Sequence, residues 1–169
     1  MSAPAAALWS VLTDWGGVMK WWVAVPGKPK APMLSCSLVA GQTERQIPRT
    51  RRCLFDPAKM KGLIPPPEVG DPNFVIPTSI DETLVHVDNK ARYLVYVYSA
   101  NFHPGSTTMQ VVDEGRCRAR FIIRYTSLEP DGTPGAVPAP AADAFGPEAD
   151  YRGVKYYVEK QWHGRGGCR

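Results

Sequence analysis

Between Arg116 and Tyr125 the residue types alternate with a period of two. Cys117, Ala119, Phe121, Ile123 and Tyr125 fall on one side, Arg116, Arg118, Arg120 and Arg124 on the other. Successive side chains of a strand point to opposite faces, so this segment is a strand with one packed and one wet face. Met33–Ala40, Arg49–Phe55, Ile80–Val87, Ala91–Ser99 and Thr107–Val112 also read as strands, and the last runs from Arg116 to Ser127. Asp88-Asn89 and Asp113-Glu114-Gly115 are tight-turn sequences that make hairpins of their flanking strands. Strands joined in this way build an antiparallel sheet, whose apolar face must be covered by something else.

Helical periodicity supplies the cover. Ala5, Leu8, Trp9 and Leu12 fall at i, i+3, i+4 and i+7, with Ser2 or Ala3 before Pro4 as the start. Asp14-Trp15-Gly16-Gly17 breaks that helix, and Val18–Trp22 makes a second short one before Pro26-Gly27-Lys28-Pro29. Near the other end Tyr151, Val154, Tyr157, Val158 and Trp162 return to helical spacing as a closing amphipathic helix. The order is α+β, and 169 residues suit a single domain spanning 1–169. Three segments stand apart from this pattern. The long connection 56–78, with Pro65-Pro66-Pro67 and Gly70-Asp71-Pro72, reads either as a lid or as an ordered surface loop. The 129–147 stretch is a Pro/Ala-rich loop, and 164–169 a flexible tail.

Composition removes several function classes. A formal charge of +4 with no aromatic-bearing recognition motif argues against a nucleic-acid partner. The apolar run Ala3–Val11 is too short to span a bilayer and has no basic flank, so no membrane role and a cytoplasmic location are expected. Cys36, Cys53, Cys117 and Cys168 form no C-x-x-C pair, and with three histidines they draw no metal site, so reduced structural thiols are expected, Cys117 in the core. The chain contains no P-loop, G-x-G-x-x-G, G-x-S-x-G or H-E-x-x-H motif, and any site is expected to work without a cofactor.

Particular residues carry a likeness to a known superfamily. Ala3-Pro4, then Leu8-Trp9-Ser10-Val11-Leu12-Thr13-Asp14-Trp15-Gly16-Gly17 and Trp21-Trp22, form one such stretch. Ile80-Asp81-Glu82-Thr83-Leu84 followed by Asp88, Tyr93-Leu94-Val95-Tyr96 and Pro104 forms another, and Cys117–Tyr125 a third. Together they resemble the START-like (SRPBCC) superfamily of polyketide cyclases and birch-pollen-allergen-type ligand carriers. The resemblance implies a helix-grip fold, a curved antiparallel sheet wrapped around a long C-terminal helix with two short helices at the start. It also implies a pocket between the concave sheet face and that helix for an apolar or aromatic small molecule. Relatives carry a strand before the first helix where only Met1-Ser2 stand here, so either the true start lies upstream or an open sheet edge pairs with another chain, as in a homodimer.

In such a fold the inward strand residues carry the chemistry. Arg92, Leu94, Tyr96 and Tyr98 share one face of their strand, and a buried phenol can donate to an oxygen on which charge develops. Tyr96 and Tyr98 are therefore catalytic candidates, against the plain reading of tyrosine as a packing residue of sheets. Glu82, Leu84 and His86 share a face too, with Glu82 and His86 roughly 13 Å apart by strand geometry, so each would act as a base alone. The many arginines read as a solvated convex face; if Arg49 or Arg51 points inward instead, it can orient a ligand oxygen by a bidentate contact. Arg51 joins Trp22, Phe121, Tyr125 and Trp162 as expected ligand contacts. The expected function is a cofactor-independent cyclase or dehydrase. The rival is a carrier or sensor of a lipid, phenolic or hormone-like ligand, which needs the same pocket without convergent polar groups.

Overall fold

The structure is a computed structural model that describes residues 1–22, 32–61, 75–99, 105–128, 133–135 and 147–163. Ala5, Leu8, Trp9 and Leu12, the predicted stripe, are the buried residues of α1 (Ala5–Thr13). Pro4 stands at its N-cap in extended conformation, a position that needs no N–H. Trp15–Gly17 makes a 3-10 turn and Met19–Trp22 a short helix, α2. The Glu44 carboxylate accepts the N–H groups of Trp15 at 3.1 Å and Gly16 at 2.7 Å, which ties this turn to the loop before the second strand.

One antiparallel sheet follows in the order β1-β2-β3-β4-β5-β6-β7. Its strands are β1 (Met33–Leu38), β2 (Arg49–Phe55), β3 (Ser79–Asp88), β4 (Tyr93–Ser99), β5 (Gly105–Asp113), β6 (Ala119–Leu128) and the two-residue β7 (Pro134–Gly135). The predicted strands are all present, and the curved sheet has the predicted helix-grip architecture. Its inner face carries Cys53, Phe55, Leu84, Leu94, Tyr96, Met109, Val111, Ala119 and Phe121, which pack with the helices into one core. The closing helix, α4 (Pro147–His163), contributes Val154 and Val158 to that core. It meets α2 at Gly153, where an added Cβ would stand 2.7 Å from the Trp21 carbonyl oxygen. Absence of a side chain there lets the two helices touch through backbone.

Three expectations need correction. Cys36 and Cys53 are not free thiols: strand register sets them opposite each other, with Cα atoms 4.0 Å apart, and they form a disulfide. Cys117 is disulfide-bonded as well, and it lies in the β5–β6 turn with φ 60° rather than in the core face of a strand. Spacing along the chain could not reveal these bonds, because the Cys36–Cys53 pair is made by pairing across a hairpin. The third correction concerns His86. A bulge in β3 pairs Leu84 with Tyr96 but His86 with Val95, so one residue drops out of the alternation. His86 consequently leaves the face of Glu82 and lies exposed on the outer surface, with its ring 6.0 Å from that of Tyr93.

At the β6 edge the Met1 amino group donates to the Ala119 carbonyl at 2.8 Å, and the Ala119 N–H returns a bond to the Met1 carbonyl at 3.1 Å. The expected open edge is thus occupied beside Ala119 by Met1 and beside Ser127 and Leu128 by β7. In the 56–78 connection Pro57–Lys61 forms a short helix, α3, and the Phe55 N–H donates to the Thr78 carbonyl at 2.8 Å, which closes its base. Residues 62–74, most of 129–147 and the 164–169 tail lie outside the described residues, so the lid, the Pro/Ala-rich loop and the tail do too. No helix among the described residues is long and apolar enough to cross a membrane.

Candidate active site

Strand register assembles the site. One row across the concave face runs Arg51, Glu82, Tyr98, Gly105, Ser127; the next runs Arg49, Leu84, Tyr96, Thr107, Tyr125. The parity left open around Pro48 is settled: Arg49 and Arg51 both point inward, at 5% and 3% exposure. Arg49 is held locally, donating to the carbonyls of Thr13 at 3.0 Å and Gln46 at 3.3 Å, with Glu44 beside it at 3.4 Å. Arg51 belongs to the interior. Its Nε donates to the Glu82 carboxylate, its other nitrogen to the Trp15 carbonyl at 3.2 Å, and its guanidinium lies 3.8 Å from the centroid of the Trp15 ring. That combination of ion pair, backbone acceptor and aromatic face suits a buried guanidinium.

Tyr96 packs edge-on against Trp15, with ring centroids 5.0 Å apart, and lies next to Tyr98, whose ring is in turn 6.2 Å from that of Tyr125. Gly105 makes room for Tyr98: a Cβ there would be 2.7 Å from the phenol oxygen and 2.2 Å from the Thr126 carbonyl. The phenol therefore reaches across β5 toward β6. At β6 the Tyr125 hydroxyl donates to Asp150 Oδ2 at 2.7 Å. Asp150 comes from the first turn of α4, is 1% exposed, and its Oδ1 has no hydrogen-bond partner. Sequence reading did not single this residue out, yet it stands one helical repeat before the buried Val154 and two before Val158.

Burial dominates the electrostatics. It drives the Asp150 carboxyl up to about 8; the Tyr125 hydrogen bond opposes this, Glu82 adds to it and Arg51 subtracts. A neutral acid at pH 7 results, with Oδ2 accepting from Tyr125 and Oδ1 free to carry the proton. Burial, then the charges of Asp150 and Glu82, pushes Tyr96 well above the ordinary phenol value. Tyr98 is pushed up to about 12 by burial, Glu82 and Asp150, and Tyr125 well above its usual value by burial and Asp150. All three phenols remain donors across the physiological range.

Of the sequence-derived candidates, Arg51, Glu82, Tyr96, Tyr98 and Tyr125 come together around Asp150. Phe121 lies one row pair further along β6 and stacks on Tyr151, with centroids 6.1 Å apart and planes 10° from parallel. Trp22 sits against Trp21 at 5.5 Å on α2, and Trp162 lies twelve residues after Asp150, about 18 Å along the helix. Neither belongs to the polar group. Between β6 and the first turns of α4 there is a cleft of about 390 Å³ lined by Ile123, Glu148, Tyr151 and Arg152. Ile123 is the inward neighbour of Tyr125 and Tyr151 follows Asp150, so the cleft adjoins the site. No group of residues that could hold a metal ion occurs among the described residues.

A curved antiparallel sheet gripping a C-terminal helix is the helix-grip fold, and the chain has that fold. Among solved structures it is similar to the Zhui aromatase/cyclase of Streptomyces sp. R1128, with TM-score 0.57, 17% identity, and 98% of this chain and 93% of that one covered. It is also similar to norcoclaurine synthase of Thalictrum flavum, solved as a point mutant with a transition-state analogue (TM-score 0.54, 16% identity, 95% and 91% covered). The same enzyme in complex with dopamine and hydroxybenzaldehyde matches with TM-score 0.54 and 14% identity, covering 97% of this chain and 82% of that one. No protein-family model and no curated protein matches the chain. At these identities the likeness is one of fold.

Proposed function

We propose that the chain is a cofactor-independent enzyme of the cyclase/dehydratase type, acting on an apolar, oxygenated small molecule such as a polyketone or phenolic precursor. The observation that carries this reading is the run of neighbouring phenols Tyr96, Tyr98 and Tyr125, the last of which donates to a buried Asp150 whose Oδ1 lacks a hydrogen-bond partner. A carrier needs apolar walls; it does not need an acid held neutral beside three phenol donors. The names of the fold neighbours, an aromatase/cyclase and a synthase, support the same direction.

Proton accounting for a ring closure is simple. The enol carbon of the substrate bonds to a carbonyl carbon, the carbonyl oxygen takes the proton of Asp150, and the enol hydroxyl returns one to the carboxylate. Loss of water then repeats both transfers: the acid protonates the departing hydroxyl, and its carboxylate removes the proton from the neighbouring carbon. Asp150 ends each step as it began. Tyr96 and Tyr98 donate to oxygen as charge builds there, and the Arg51–Glu82 pair fixes the floor on which they stand.

Native mass spectrometry of protein purified from its own host tests the reading. Wild type should convert a co-purifying precursor over time, Asp150→Asn and Tyr96→Phe should retain it, and His86→Ala, altered on the outer face, should behave as wild type. The same unchanged ligand in all four proteins would make the chain a carrier.

A further inference from the structure

The interior has an unequal supply of unused hydrogen-bonding groups. Besides Arg49 Nε, which faces the Glu44 carboxylate at 3.4 Å, four buried polar side-chain atoms around the concave face have no hydrogen-bond partner: Trp15 Nε1, Thr107 Oγ1, Ser127 Oγ and Asp150 Oδ1, on residues 1%, 0%, 6% and 1% exposed. Buried polar groups are almost always paired, so four in one region mark the place of something that pairs them. Thr107 and Tyr125 are cross-strand neighbours, Ser127 is the next inward residue after Tyr125, and Asp150 holds the Tyr125 hydroxyl. Three of the four therefore surround the Tyr125 phenol.

The inward cations among the described residues, by contrast, are engaged. Arg51 is engaged by Glu82, the Trp15 carbonyl and the Trp15 ring, and Arg49 by Thr13, Gln46 and Glu44. Arg152, on the rim of the adjoining cleft, lies 3.4 Å from Glu148. We propose that this site takes a ligand whose polar end is an uncharged hydroxyl or carbonyl oxygen, docked on Asp150, Thr107 and Ser127 beside Tyr125, and that it rejects the corresponding carboxylate or ammonium. An entering carboxylate would face Asp150 and Glu82 with no free cation beside them among the described residues. An ammonium would require Asp150 to ionise where burial holds it neutral. A hydroxyl meets donors and acceptors that already lack partners, at no electrostatic cost.

The inference rests on the buried group being a ligand site, as proposed above, but not on turnover. Isothermal titration at pH 6.5 with 2-naphthol, 2-naphthoate and 2-naphthylmethylammonium reads it directly, since the three differ little in shape. The alcohol should bind at least tenfold more tightly than either ion. Thr107→Val, which keeps shape and loses only the hydroxyl, should weaken the alcohol several-fold, and Ser127→Ala should do the same. Equal or tighter binding of the acid or the amine, or no binding by any of the three, overturns the inference. Selective alcohol binding in a chain that converts nothing would leave this inference standing and sink the enzymatic reading; turnover of an acid or amine would do the reverse.

Discussion

Replacing Asp150 by Asn removes one ionisable group from the interior and leaves an amide of the same shape, whose oxygen can still accept from Tyr125. In the folded chain the Asp150 carboxyl is raised from 3.8 to about 8 by burial. Unfolded, it ionises near its ordinary value, so between about pH 4 and pH 8 the unfolded state is ionised at this position and the folded state is not. A group raised in this way lends its full stability below the unfolded value and loses it as pH climbs toward the folded one. A displacement of roughly four pH units, at 1.36 kcal/mol each, amounts to about 5–6 kcal/mol across the window. Because Asn does not titrate, the stability of Asp150→Asn minus that of wild type should rise with pH by up to about 1.4 kcal/mol per unit and flatten above pH 8. Other titrations are common to both proteins and cancel. From pH 5 to pH 7 the relative gain is about 2.7 kcal/mol, or roughly 5–11 °C in Tm for a chain of this size. Urea denaturation of both proteins at pH 5, 6, 7, 8 and 9 measures it. A difference that stays constant across that range would refute the reasoning, since it would mean that Asp150 ionises in the fold as freely as in water.

Glu82→Gln strips the buried Arg51 of its counter-charge and should cost about 3–5 kcal/mol, most of it recovered when Arg51→Met is added; urea melts that show an unaffected single variant would contradict the pairing. Cys53→Ser opens a disulfide that joins residues 17 apart in sequence, with an expected loss of about 3 kcal/mol. A reducing agent should bring wild type toward the same value, and a reductant-insensitive Tm would argue against the bond.

The strands and helices were legible because their signals are local. The α1 stripe, the turns at Asp88-Asn89 and Asp113-Glu114-Gly115, and the alternation through Leu94, Tyr96 and Tyr98 each depend on near neighbours only. The inward Tyr96, Tyr98 and Tyr125 follow from that alternation. What depends on pairing was not legible. A single bulged residue in β3 turned His86 outward while leaving Glu82 and Leu84 inward, and no composition rule marks Val85 as its position. The Cys36–Cys53 bond is likewise a product of register.

Asp150 is a different case, because its signal is present in the helical period. The apolar residues mark the closing helix from Tyr151 onward, and a stripe drawn from apolar residues alone stops where a polar one begins. Extended back by one repeat, the buried line Val158, Val154 passes through Asp150, an acid on a face that must lie against the sheet. A carboxyl at such a position costs folding energy unless a partner or a proton compensates it. Here the Tyr125 hydroxyl supplies one hydrogen bond and the raised affinity for a proton supplies the rest. The same holds across the sheet: Arg51 and Glu82 occupy positions where period two demands apolar residues, and they are tolerated because register sets them opposite each other. Polar residues that break an apolar pattern from the inside are therefore the ones that define the site, and the chain retains them at a measurable expense in stability above pH 4.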